Sequence, residues 1–217
     1  MLILEYPDAQ AVFALNAISG LKDISGKNNP SGVVQMEMPL APGPYGLVNG
    51  SYKFVNQPAS YIEFPNNGKL DTRTSTTILF WIFIEGIDVT SSIVSYVLLN
   101  ESTPNWGVSL MMETKTPLLV LPSRGSDQNW TVVQNTKAKL SANNWHYLAA
   151  SYNYTSGMGS LWVNGTMVAQ KYVGIYELDT VGSFLIEPFS GRVSCLQIYA
   201  KALSMPMIRD VKTRCWT

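Results

Sequence analysis

Chemistry in this chain of 217 residues would have to come from few groups. Glu177 and Asp179 stand two residues apart, the spacing at which an extended backbone puts two carboxylates on one face, as acid/base chemistry by paired carboxylates would need. His146 is the only histidine, and no Gly-x-Ser-x-Gly elbow accompanies it. One histidine cannot build a multi-histidine zinc site, and the phosphate-cradling Gly-x-x-x-x-Gly-Lys-Ser/Thr pattern is missing. Cys195 and Cys215 are the only cysteines; an even count suits one disulfide, with two free core thiols as the alternative. Five Asn-x-Ser/Thr sequons, at Asn49, Asn100, Asn129, Asn153 and Asn164, offer sites for glycans. Asn49 lies in a Gly/Pro-rich loop, Asn100 ends an apolar run, Asn153 follows a strand and Asn164 sits in a hairpin turn, all solvent-facing expectations.

The elements that must position these groups are strands. Trp145 to Tyr152 alternates Leu148, Ala150 and Tyr152 on one face with Tyr147 and Ala149 on the other. A Ser/Gly turn reverses the chain into Ser160 to Val163, and Asn164-Gly165 supplies the two positive φ angles of a type I′ hairpin before the return through Met167, Ala169 and Val173. Short strands are also expected at Ala11 to Asn16, Val33 to Met38, Ser51 to Phe54, Ser60 to Phe64, Ser92 to Leu99, Trp106 to Met112, Pro117 to Leu121 and Trp130 to Gln134, with nothing between them long enough for a crossover helix. The most apolar run, Ile78 to Ile84, belongs at the centre of a sheet with both faces covered, so Phe80, Trp81 and Phe83 are packing residues before they are a ligand platform. One helix is expected after Ser204, with Ile208, Val211 and Cys215 on one face.

Composition narrows the function. Fifteen basic and fifteen acidic residues cancel, so no basic field exists for nucleic acid. The longest apolar run is far shorter than the roughly 20 residues of a spanning helix, and no membrane insertion by this domain is expected. Length suits one domain over residues 1–217. No signal peptide is visible in MLILEYPDAQ, which leaves a cytosolic protein or a domain cut from a longer secreted chain; the sequons favour the second.

Two stretches carry a family resemblance. Trp145-His146 opening a strand, the short Gly-bearing turn and the Trp162-Val163-Asn164-Gly165 hairpin resemble the central hairpins of laminin G-like and pentraxin-like domains, concanavalin A-like jelly rolls. Ser190 to Ser204, SGRVSCLQIYAKALS, is similar to the family's closing strand. The resemblance implies an all-β, two-sheet antiparallel jelly-roll sandwich with a short C-terminal helix, a Cys195–Cys215 bridge, and an extracellular or cell-surface setting. It also implies a place for calcium: Asp23 and Asn28 are the candidate ligands, although the closing-strand Asp of calcium-binding relatives is replaced here by Ser194, and an Asx-type turn is the competing role for Asp23. The glycosidase branch of the fold uses Glu-x-Asp-x-(x)-Glu; here Thr180-Val181-Gly182-Ser183 follows Glu177-x-Asp179 with no second glutamate, so both carboxylates are read as solvated loop groups and the chain as no enzyme. The Glu-Gln-Asp run of pentraxin calcium sites is absent. The expectation is a non-catalytic recognition or adhesion module without a cofactor, binding an extracellular protein or a glycan. A carbohydrate-binding lectin, calcium-assisted or not, and a homo-oligomerising module of pentraxin type are the alternatives.

Overall fold

The hairpin forms at Asn164-Gly165 with both residues at positive φ, 52° and 77°, and every larger feature of the fold is an elaboration of the same antiparallel step. The computed structural model describes residues 6–85, 91–98, 105–124, 130–135 and 138–216. Among them the strands are β1 (Ala11–Phe13), β2 (Val33–Val34), β3 (Leu40–Ala41), β4 (Ser51–Phe54), β5 (Ile62–Phe64), β6 (Ser75–Ile84), β7 (Ser91–Leu98), β8 (Asn105–Glu113), β9 (Thr116–Pro122), β10 (Trp130–Gln134), β11 (Trp145–Asn153), β12 (Met158–Val163), β13 (Thr166–Tyr172), β14 (Ser183–Ile186) and β15 (Gly191–Tyr199). Helix α1 (Met205–Asp210) continues into a 3-10 turn, Val211–Trp216.

The strands make two antiparallel sheets. Sheet 1 runs β13-β12-β11-β6-β15-β4-β3, with β1 also on β15; sheet 2 runs β10-β9-β8-β7-β14-β5-β2. Between them lies the main core. From sheet 1 come Ile78, Phe80, Ile82, Leu148, Ala150, Tyr152, Leu196 and Ile198, and from sheet 2 Val94, Tyr96, Val108, Leu110, Leu119, Leu121, Phe184 and Ile186. Residues of one parity enter the core along most strands, as period-two alternation requires, and the register shifts in β7 and β15 switch it, so that Ile93 and Val193 join the same core. Tyr96 stays in this apolar layer because its hydroxyl donates to the Leu70 carbonyl at 2.8 Å, and burial holds the phenol well above its ordinary range.

β4 and β10 have the expected limits, and the other expected strands differ at their ends. Two strands were not legible, β3 and β14, because two or four residues are too short to show alternation and sheet partners alone define them. Ser204 precedes the helix with extended φ and ψ, yet its side chain makes no capping hydrogen bond.

Candidate binding face

A sandwich of alternating strands has two further faces, the outer ones, and here they differ. On sheet 1 the outward residues are large: Leu79 and Trp81 of β6, Tyr147 and Ala149 of β11, Trp162 of β12 and Tyr199 of β15. They form a second apolar cluster with Leu203, Ile208, Val211 and Cys215 of the C-terminal segment. The segment is fastened by the Cys195–Cys215 disulfide, Cα atoms 5.7 Å apart, and by hydrogen bonds from Trp81 Nε1 to the Lys212 carbonyl (3.1 Å) and from Gln197 Nε2 to the Val211 carbonyl (2.9 Å). Arg214 reaches the other way and donates to the Pro7 carbonyl at 2.6 Å, so the first described residues join the same cover. Three polar atoms inside it, Tyr147 Oη, Trp162 Nε1 and Trp216 Nε1, are buried and have no hydrogen-bond partner.

Among the described residues no second apolar cluster of this kind forms on the outer face of sheet 2. One row of its outward residues crosses all seven strands by direct cross-strand pairing: Val132, Val120, Ser109, Ser95, Leu185, Glu63 and Val33. The apolar members belong to neither hydrophobic cluster. Ser109 and Ser95, in the middle of the row between bulkier side chains, are buried. Glu187, just beyond β14, turns its carboxylate onto the Ser95 hydroxyl. Burial pushes the Glu187 carboxyl above its ordinary value, and the Ser95 hydrogen bond offsets only part of that. At the far end Trp130, opposite Pro122, is 60% exposed. An exposed indole and a half-buried carboxyl on a half-apolar surface can stack a ring and bond to hydroxyl groups.

The residues singled out in the sequence scatter over other parts of the molecule. Asp23 directs its oxygens to Val12 N (3.0 Å), Ser25 N (2.9 Å), Ser25 Oγ (2.8 Å), Asn29 N (3.1 Å) and Asn29 Nδ2 (2.7 Å), the Asx-type arrangement. Burial raises its pKa, but these donors outweigh it and hold the carboxyl below its ordinary value. Asn28 is exposed beside it at positive φ, and no group of three His, Cys, Asp or Glu able to hold a metal occurs among the described residues.

Glu177 is exposed, as read from the sequence, whereas Asp179 is not a solvated group. Its Oδ1 is buried without a partner, and burial raises its pKa with a smaller push from Asp71. The segment is tied down on both sides by backbone bonds, Val108 N to the Asp179 carbonyl and Arg124 N to the Glu177 carbonyl, which draw Asp179 inward. Asp71 itself accepts from Thr180 Oγ1 (2.7 Å), Arg73 (2.7 Å) and Arg124 (3.1 Å), so it is held as an ion-paired carboxylate.

His146 places Nε2 at 3.2 Å from Ser141 Oγ and 3.0 Å from its carbonyl, a hydrogen-bonding role. Phe80 is in the main core and Trp81 in the second; Phe83 lies under the Arg192 guanidinium, 4.3 Å away. Asn49 and Asn164 are exposed and Asn153 is half-buried; Asn164 Oδ1 accepts from Tyr147 N at 2.9 Å. Asn100 and Asn129 lie outside the described residues.

A laminin G-type family model of the concanavalin A-like lectin/glucanases superfamily matches residues 56–209. This chain belongs to that superfamily. The match takes in strands β5 to β15 and most of α1. No curated protein sequence matches the chain. Among solved structures it is similar to domain 4 of AbnA, a GH43 extracellular arabinanase from Geobacillus stearothermophilus, in complex with arabinotriose: 18% identity, 95% of this chain and 99% of that one, TM-score 0.72. It is also similar to the binding domain of botulinum neurotoxin DC, in complex with SialylT (16% identity, 96% of this chain and 52% of that one, TM-score 0.71) and with rat synaptotagmin II (14%, 96% and 52%, 0.74). This chain spans about half the length of those toxin domains. At these identities the likeness establishes the jelly-roll fold of the superfamily.

Proposed function

We propose that this domain is a non-catalytic extracellular recognition module that takes a neutral glycan on the open face of sheet 2. The carrying observation is the asymmetry of the outer faces: the aromatic one is closed by a disulfide-fastened segment, while the other keeps an exposed Trp130 and the half-buried Glu187 carboxylate, which accepts from the buried Ser95 hydroxyl. Glu63 and Glu187 both belong to this face, and no lysine or arginine stands in its central row, which disfavours acidic sugars. Fold-level analogy adds support, since one similar structure holds arabinotriose, a neutral sugar. The disulfide fits an oxidising compartment.

A glycan array with and without chelator tests this reading. Neutral oligosaccharides are expected to bind, equally with chelator, because the Asp23 oxygens are already engaged by hydrogen bonds. Trp130→Ala is expected to remove binding while leaving the fold intact. Full retention of glycan binding in both Trp130→Ala and Glu187→Ala would move the site elsewhere. Absence of any glycan signal, with capture of a protein partner that Trp130→Ala abolishes, would turn this face over to protein recognition.

A further inference from the structure

The two most exposed large apolar side chains among the described residues are Ile18 (97%) and Val48 (86%), and they sit on neighbouring loop tips. Ala17 N donates to the Asn49 carbonyl at 3.0 Å, so the residues flanking the two tips are tied together. Both loops are rigidly built. Asn16 Oδ1 accepts from Ile18 N (3.0 Å), Ser19 N (3.0 Å) and Ser19 Oγ (3.1 Å), a local turn that holds Ile18 outward. The Val48 loop is closed by Gly43 N to the Leu47 carbonyl (2.8 Å) and Gly50 N to the same carbonyl (3.2 Å). Tyr45, 63% exposed in that loop, packs edge-on against Trp81 and Trp216, with the Lys212 ammonium 5.8 Å from its ring.

The two segments that carry the tips contain no acidic residue. From Ala9 to Lys22 and from Pro39 to Ile62 there is no Asp or Glu, while Lys22 is exposed beside the first tip and Lys212 stands beside Tyr45. Two convex points offer no continuous surface of the several hundred Å² per partner that a stable protein interface needs. Insertion into a bilayer interface needs only protruding apolar side chains with an amphipathic ring and cations behind them.

We infer that Ile18 and Val48 form a paired apolar tip that dips into the surface of an anionic lipid bilayer, with Tyr45, Lys22 and Lys212 at headgroup level. This is contact by two side chains and not a crossing; no helix among the described residues is long and apolar enough to span a membrane. A glycan on Asn49 would stand on the same tip and exclude it from the lipid.

The test is sedimentation of the unglycosylated protein with vesicles of phosphatidylcholine alone or with one third phosphatidylserine. Binding to the anionic vesicles that weakens with added salt is expected. Ile18→Asp and Val48→Asp should each lower partitioning roughly ten-fold or more. Ile18→Ser and Val48→Ser give the same direction should the charged forms disturb the turns, with melting temperature as the control. Trp130→Ala should bind vesicles as the parent does, which keeps this result separate from glycan recognition. A parent protein that ignores both vesicle types, or tip variants that bind as well as the parent, overturns the proposal.

Discussion

The outer faces of the two sheets obey one alternation rule and have opposite fates. On sheet 1 alternation turns out Trp81, Tyr147, Trp162 and Tyr199, too much aromatic surface to leave in water, and residues 203–215 close over it. On sheet 2 the same parity turns out Val120, Val132, Leu185 and two serines, a mixture that tolerates partial exposure. Side-chain size on the outward register, not sheet topology, thus decides which face is sealed and which remains available.

Four perturbations break or sharpen that contrast. The largest is Trp81→Ala, which empties the centre of the sealed face and is expected to cost about 3–5 kcal/mol in urea unfolding. Leu118→Ala on the open face should cost well under half of that, and equal costs would refute the asymmetry. Next is Cys215→Ser. Opening the bridge, which spans 20 residues, should cost about 3 kcal/mol without changing the main core. Tyr147→Phe runs the other way: its hydroxyl is buried without a partner, so removing it should raise stability by about 1 kcal/mol.

The smallest effect compares two carboxyls by their pH dependence. Glu187, on the open face, has a folded pKa raised by burial above the 4.5 of the free group. Its favourable contribution is complete below 4.5 and fades as pH rises through the folded value, so Glu187→Gln should gain on the parent at neutral pH and converge with it in acid. Glu85, bridged to Arg192 and Lys53 on sheet 1, has its pKa lowered, the ion pairs outweighing burial. Its contribution is present above 4.5 and lost as pH falls through the folded value, so Glu85→Gln should be the less stable protein at neutral pH and converge in acid. Melting curves across pH that slope alike for both variants would contradict the assignments.

How far these features were legible depends on how local their causes are. The Asn164-Gly165 hairpin and the doubly covered β6 were readable because turn chemistry and an unbroken apolar run act within a few residues. The candidate face was not. In Thr116–Pro122 both parities are apolar, Leu118 and Val120 outward and Leu119 and Leu121 inward, so nothing in the local pattern says which side meets water. Ser95 and Glu187 are 92 residues apart and meet only through the pairing of β7 with β14. Asp179 fails for the same reason: its burial comes from backbone bonds to Val108 and Pro122, invisible from its neighbours in sequence.

The bond from Arg214 to Pro7 has a practical corollary for how the molecule can be held. Since it brings both extremities of the described chain to the rear of the sandwich, a biotin tag or sensor-chip anchor at either end would grip the domain by its back. Trp130 would then project away from the support, in the orientation that binding assays on immobilised protein require.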